Sequence, residues 1–230
     1  MIKLAPVITI DGPSGSGKSV LSKSLSKYLK WFNLESGIIY RIFACLFLKK
    51  NGLISKNNLL SLLNDLDNYF IYKNGMIYNF ITKEFSKKYI ISKEVTNIAS
   101  KLSTISYVRK NLLIKQRLFR KKPGLIANGR DMGTVVFPDA IIKIFLKATL
   151  KQRVYRRMYE LKNKGFNINF KNILFQIQKR DNRDINRKYS PLKPANNAII
   201  IDSSNMNCTE VFKLVIKYIK KNKYFKKYTL

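Results

Sequence analysis

Eight consecutive residues, Gly12-Pro13-Ser14-Gly15-Ser16-Gly17-Lys18-Ser19, match the spacing GxxxxGK[ST] at every required position. This composition suits the holding of a phosphate chain. Glycines let a backbone wrap an anion and aim its N–H groups inward, and a helix starting at the lysine adds partial positive charge. In that setting Lys18 reaches the β- and γ-phosphates, and the Ser19 hydroxyl is placed to ligate Mg²⁺. Gly12 to Ser19, with Val20 beside them, are therefore the candidate nucleoside triphosphate site. The loop alone does not name a reaction, because GTPases, motor ATPases and small-molecule kinases share it.

The loop works only between a strand and a helix, and the flanking pattern supplies both. Val7-Ile8-Thr9-Ile10 is a β-branched run stopped by Asp11-Gly12-Pro13, which predicts a buried strand entering a turn. Lys18 to Leu29 follows with Val20, Leu21, Leu25, Tyr28 and Leu29 as a helical stripe. Further strands are predicted at Leu125 to Ala127, Ile141 to Leu146 and Ala198 to Ile201. Further helices are predicted at Leu150 to Lys164, ended by Gly165, and at Cys208 to Lys221. Buried strands interleaved with helices indicate an α/β chain whose parallel sheet is covered by helices on both faces. Between about residues 51 and 92 the pattern changes. Asn74-Gly75 sits between Tyr69-Phe70-Ile71-Tyr72 and Met76-Ile77-Tyr78, a strong hairpin signal, so a small antiparallel insert is expected there.

Composition narrows the chemistry. The 230 residues contain no histidine and two cysteines, Cys45 and Cys208. That excludes a Ser-His-Asp or Cys-His triad, a His-ligated metal and a disulfide framework, and it points to free thiols in a reducing cytoplasm. The formal charge is +32, built from 34 Lys and 11 Arg against 13 acids. One explanation is an A/T-rich codon bias that studs the surface with lysine, since Asn and Ile are also abundant. The other is an electrostatic footprint for nucleic acid, which would need basic residues interleaved with exposed aromatics. Here the aromatics fall largely on apolar stripes. The N-terminus lacks the pattern of a signal peptide, and no apolar stretch approaches the ~20 residues of a membrane span. On the Cys208 to Lys221 helix an apolar stripe faces away from lysines, which suits packing on the sheet or, less often, an anionic membrane surface.

Three further segments carry polar residues in unusual density. They are Glu35-Ser36-Gly37-Ile38-Ile39-Tyr40-Arg41, Asn128-Gly129-Arg130-Asp131-Met132-Gly133-Thr134, and Arg180-Asp181-Asn182-Arg183-Asp184-Ile185-Asn186-Arg187. Together with GPSGSGKS they resemble the bacterial cytidylate kinases, from Pro6 to about Ile201. The resemblance implies a P-loop nucleoside monophosphate kinase: a core at about 1–50 and 93–230, a monophosphate-binding insert at about 51–92 and a short lid at about 153–187. It implies transfer of the γ-phosphoryl group of ATP to CMP or dCMP with Mg²⁺ held by Ser19. It assigns Ser36, Arg41, Ser100, Arg109, Arg130, Asp131, Arg180, Asp184 and Arg187 to the acceptor nucleotide. Lys18, Arg130, Arg183 and Arg157 would stabilise the transferring phosphoryl group, with Arg156 as a further lid arginine.

These assignments agree with elementary chemistry. Phosphoryl transfer needs positioning and charge rather than a histidine base. A phosphate is best gripped by the bidentate guanidinium fork, which fits Arg41, Arg130 and Arg187 in a chain that otherwise uses Lys. Cytosine offers an amino donor and two acceptors, so Asp131 and Arg109, with Ser100 in support, suit it better than uracil. Several positions depart from the family pattern: Val20 for Thr, Glu35 and Asn128 for Asp, and the Thr82 to Tyr89 stretch. Asn128 puts a second Mg²⁺ ligand in question, and Asp11 is a candidate with a structural alternative. The expected protein is a cytoplasmic monomer with no specific nucleic-acid or membrane partner. A UMP/CMP-type kinase and a basic nucleic-acid-binding P-loop protein remain as alternatives.

Overall fold

The computed structural model describes residues 4–50, 52, 54–73, 76–80 and 85–226. In chain order its elements are β1 (Val7–Asp11), α1 (Lys18–Leu29), β2 (Phe32–Glu35), α2 (Ser36–Lys49), α3 (Lys56–Asp65), β3 (Phe70–Lys73) and β4 (Met76–Phe80). Then come α4 (Lys87–Ile90), α5 (Lys93–Leu102), α6 (Ser106–Arg117), β5 (Leu125–Gly129), β6 (Ile142–Lys147), α7 (Leu150–Lys162), α8 (Phe170–Asn186), β7 (Ile199–Asp202), α9 (Cys208–Lys221) and α10 (Lys223–Lys226). They form two compact units, Met1–Leu34 with Arg120–Leu230, and Glu35–Phe119.

The first unit is built on a five-stranded sheet in the order β2-β5-β1-β6-β7. β1 runs parallel to β5 and to β6, and β6 parallel to β7. All five residues of β1 are buried, as expected of a central strand covered on both faces. From β1 the chain crosses through α1 to the β2 side, while β6 and β7 lie on the other side. The sheet therefore reverses at β1, whose carboxyl end is where open α/β sheets bind ligands.

The core of this unit joins Ile8, Ile10, Ile126 and Ile144 of the sheet to Leu21 and Leu25 of α1 and to Val211, Val215 and Ile219 of α9. The apolar stripe of α9 thus packs on the sheet, and Lys213, Lys217, Lys220 and Lys221 face outward. The stripe expected on α1 is narrower than its sequence suggests. Leu21 and Leu25 are buried, but Val20 and Tyr28 are half exposed. Position 20 lies well around the helix from the 18, 21, 22, 25 face, and Tyr28 meets Phe212 edge-on only at the rim, with ring centroids 5.7 Å apart. Leu25 is fully buried, so Leu25→Ala is expected to lower stability by about 3 kcal/mol in urea unfolding, whereas Val20→Ala changes it by less than ~0.5 kcal/mol. A smaller cluster, Val154, Leu161, Ile173 and Ile177, joins α7 to α8.

The second unit centres on α2, where Ile39, Tyr40, Ile42, Phe43, Ala44, Cys45, Leu46 and Phe47 are all buried, packed with α5. Three of its helices begin at serines whose hydroxyls accept a backbone N–H: Ser55 from Asn58, Ser86 from Tyr89 and Ser92 from Val95. β3 and β4 pair antiparallel from Phe70 opposite Phe80 to Lys73 opposite Met76, with an irregularity between Ile71 and Tyr72. The Asn74-Gly75 turn proposed between them lies outside the described residues, as do residues 82–84 and Lys227. Among the described residues no helix is long and apolar enough to cross a membrane.

Candidate active site

The phosphate loop leaves the carboxyl end of β1 as its spacing requires. Gly12, Gly15 and Gly17 have φ of 148°, 76° and 96°, all in the region that L side chains avoid. At Gly12 the reason is doubled, because a Cβ there would lie 2.0 Å from the Leu146 carbonyl oxygen. Gly17 then caps α1. Lys18 is buried, and its Nζ donates to Pro13 O at 2.6 Å and to Ser16 Oγ at 3.2 Å. Burial pushes its ammonium well below the usual lysine range, and the positive charges of Arg130 and Arg180 push the same way. Ser19 and Val20 form the exposed first turn of α1.

Asp11 anchors a turn. Its two oxygens accept the N–H groups of Met132 and Gly133, both at 2.8 Å, and so hold the wide turn Met132–Val136 against the strand. Burial raises its carboxyl to about 6 despite those two bonds. Asn128, buried at the end of β5, donates to Ser22 Oγ of α1 at 2.7 Å. That amide ties strand to helix.

The segment after β5 meets α8. Arg130 Nε donates to Asp184 Oδ2 at 2.7 Å, and Arg180 Nε lies 3.8 Å from the same oxygen. Burial alone would raise the Asp184 carboxyl, but Arg130 and Arg180 outweigh it and hold the group below the usual range. Asp131 is buried, with Arg187 Nη2 3.7 Å from its Oδ1, and Arg187 Nε donates to Ser190 O. The expected residues 130, 131, 180, 184 and 187 thus gather in one charged network. Arg183 is half-buried on α8. Arg157 pairs with Glu160 of its own helix at 2.7 Å, whereas Arg156 is drawn to Ser203, Met206 and Ser16. Arg153, absent from the expected set, is buried and bonds Asp181, Ser14 O and Ala148 O. No motif contains it; its one signal in the sequence is being an arginine in a lysine-rich chain.

Ser36, Arg41, Ser100 and Arg109 belong to the second unit. Ser36, buried at the start of α2, accepts from Gln116 Nε2 at 2.8 Å. Ser100 O accepts from Ser103 Oγ at 2.8 Å, and Ser103 O accepts from Arg109 Nη1 at 3.1 Å, so one serine draws Ser100 and Arg109 together. The Arg109 guanidinium also lies 5.9 Å from the Tyr40 ring centroid. Arg41 is half-buried on α2.

A parallel sheet that reverses at β1, a glycine loop at its carboxyl end and an arginine-rich network in the same unit define a P-loop kinase, an enzyme that moves a phosphoryl group. The comparisons narrow the class. The family model described as cytidylate kinase matches residues 8–221. A cytidylate kinase of Buchnera aphidicola subsp. Baizongia pistaciae is 49% identical, over 97% of this chain and 97% of the relative. Cytidylate kinases of Shigella boydii serotype 4 and Yersinia pestis are 45% and 46% identical over 95% of the chain, covering 96% and 95% of those proteins. The chain belongs to the cytidylate kinase family.

Proposed function

We propose that this chain transfers the γ-phosphoryl group of ATP to CMP or dCMP, giving ADP and CDP or dCDP, as a cytoplasmic monomer. The observation that carries the acceptor half is the Arg130–Asp184 and Arg187–Asp131 network, with separations of 2.7 and 3.7 Å. It keeps two guanidiniums oriented by carboxylates, as a monophosphate fork requires. Lys18 and the loop N–H groups bind the donor phosphates, and Arg183 and Arg157 add charge where the phosphoryl group moves. Arg180 and Asp184 contact the ribose, Arg41 and Ser36 the acceptor's sugar-phosphate, and Arg109, Asp131 and Ser100 the cytosine.

The residues present fit Mg²⁺. The Ser19 hydroxyl is exposed at the start of α1, and no group of three or more acids and cysteines that could hold a metal occurs among the described residues. That donor set suits an ion that binds through substrate phosphates and keeps several waters, rather than a protein cage. Ser19 would hold it, and it would supply charge neutralisation at the transferring group. The reaction runs in line: an acceptor phosphate oxygen forms a bond to the γ-phosphorus as the bond to the bridging oxygen of ADP breaks. The chain's part is to orient both phosphates and to spread the developing charge over Lys18 and the arginines.

A coupled ADP-release assay across CMP, dCMP, UMP and AMP tests this reading. Wild-type protein is expected to favour cytidine nucleotides, and no turnover with any of the four overturns it. In the same assay Asp131→Ala is expected to lower the CMP/UMP ratio of kcat/KM by about tenfold, because the carboxylate that accepts from the cytosine amino group is gone. An unchanged ratio removes Asp131 from base selection.

A further inference from the structure

A loop that points its N–H groups inward at an anion turns its carbonyls outward, where burial obliges them to find donors. In this protein α7 and Ser203, just past β7, supply them. Arg153 Nη1 donates to Ser14 O at 3.2 Å, and its Nε donates to Ala148 O at 3.0 Å. Ser203 Oγ donates to Ser16 O at 3.3 Å and in turn accepts from Arg156 Nη1 at 3.0 Å. Between these two carbonyls the first turn of α7 rests on the loop itself, since a Cβ on Gly15 would lie 2.8 Å from Arg153 O and 3.0 Å from Arg153 Cβ. A glycine is needed there for the approach of α7 as well as for φ.

The same Arg153 is paired with Asp181 of α8. Asp181 lies three residues before Asp184, so both carboxylates share one helix face, and Asp184 holds Arg130 at 2.7 Å. One face of α8 therefore fastens the donor loop through Asp181 and Arg153, and the acceptor arginine through Asp184. Lysine could not replace Arg153 in this. A point charge on a flexible stem lacks the planar fork that here serves Ser14 O, Ala148 O and a carboxylate together.

We propose that Arg153 and Asp181 are positioning residues that lock the phosphate loop in its ATP-binding shape by fastening it to α7 and α8. The proposal rests on ATP as the donor, and wild-type ADP formation from ATP and CMP is its control. A buried ion pair replaced whole by apolar residues of similar size usually leaves stability unchanged or raised, so a purely structural pair is separable from a positioning one. The double variant Arg153→Met/Asp181→Leu loses the donors to Ser14 O and Ala148 O as well as the ion pair, and is expected to stay folded with its thermal midpoint lowered by only a few degrees. It is also expected to show KM for ATP raised about tenfold, with KM for CMP within about twofold of wild type. Arg153→Lys, which keeps the charge pair but loses the fork, is expected to raise KM for ATP to a similar extent and serves if the double variant does not fold. KM for ATP within about twofold of wild type in a folded variant of either kind overturns the proposal, as does an equal rise in both KM values. Loss of wild-type turnover would instead strike the ATP reading.

Discussion

Replacing Lys18 by methionine is expected to lower kcat with ATP and CMP by about 10³-fold while leaving the protein folded. The two halves of this result have different causes. Phosphoryl transfer builds charge on the equatorial oxygens of the γ-phosphate, and in the proposed reaction that charge is met by Lys18, which is held by Pro13 O at 2.6 Å and Ser16 Oγ at 3.2 Å. Its removal takes away a preorganised cation in a place shielded from water, where such a group has its greatest effect. Stability behaves oppositely. Burial and the neighbouring Arg130 and Arg180 depress the Lys18 ammonium, so folding disfavours the charged form. Methionine keeps the apolar stem and discards that charge, and the thermal midpoint should hold or rise. Single-turnover rates and a melting curve on the same sample check both halves. Activity within tenfold of wild type would remove Lys18 from the transition state.

The second large effect is at Asp184. Asp184→Asn is expected to cost about 3 kcal/mol of stability and to lower kcat/KM for CMP by about 10²-fold. A neutral amide leaves Arg130 and Arg180, 2.7 and 3.8 Å from the carboxylate oxygen in the wild type, without the charge that orients them. The pH dependence carries a sign. The Asp184 carboxyl is depressed in the folded state, so its contribution is complete above the unfolded value near 3.8 and is lost as pH falls through the lower folded value. The difference in stability between wild type and Asp184→Asn should therefore be constant from about pH 5 to 7 and shrink below about pH 4. Urea midpoints over that range decide it, and a gap that widened on acidification would contradict the assignment.

Much of this machinery is legible in the chain. The strand, loop and helix of the phosphate site are signalled within some twenty residues, because glycine φ angles, helix starts and strand burial are local properties. The helix that the sequence predicts at Cys208 to Lys221 forms there as α9, since its stripe and its Asn207 cap are local too. Harder to read were Val20 and Tyr28, placed on an apolar stripe that the sheet does not cover. Helical period shows which residues share a face, but only the angle of the helix on its sheet decides how wide the covered face is. The second unit shows in the sequence through its hairpin strands and the Glu35 to Arg41 segment that opens α2, whereas the packing of α2 on α5 has no short motif of its own.

By itself, the sequence determined the chemistry: a triphosphate loop, no histidine-dependent mechanism, and arginines kept where lysine would have satisfied charge alone. Tertiary structure decided the partnerships. Asp184 holds an arginine 54 residues away, Asn128 reaches a serine across 106, and Arg153 joins Ser14, 139 positions earlier. The reason is physical. Loop shape and helix capping depend on neighbours along the chain, but which acid faces which arginine depends on the register in which packed elements meet, and 11 arginines with 13 acids leave many pairings open until the sheet and α8 are in place.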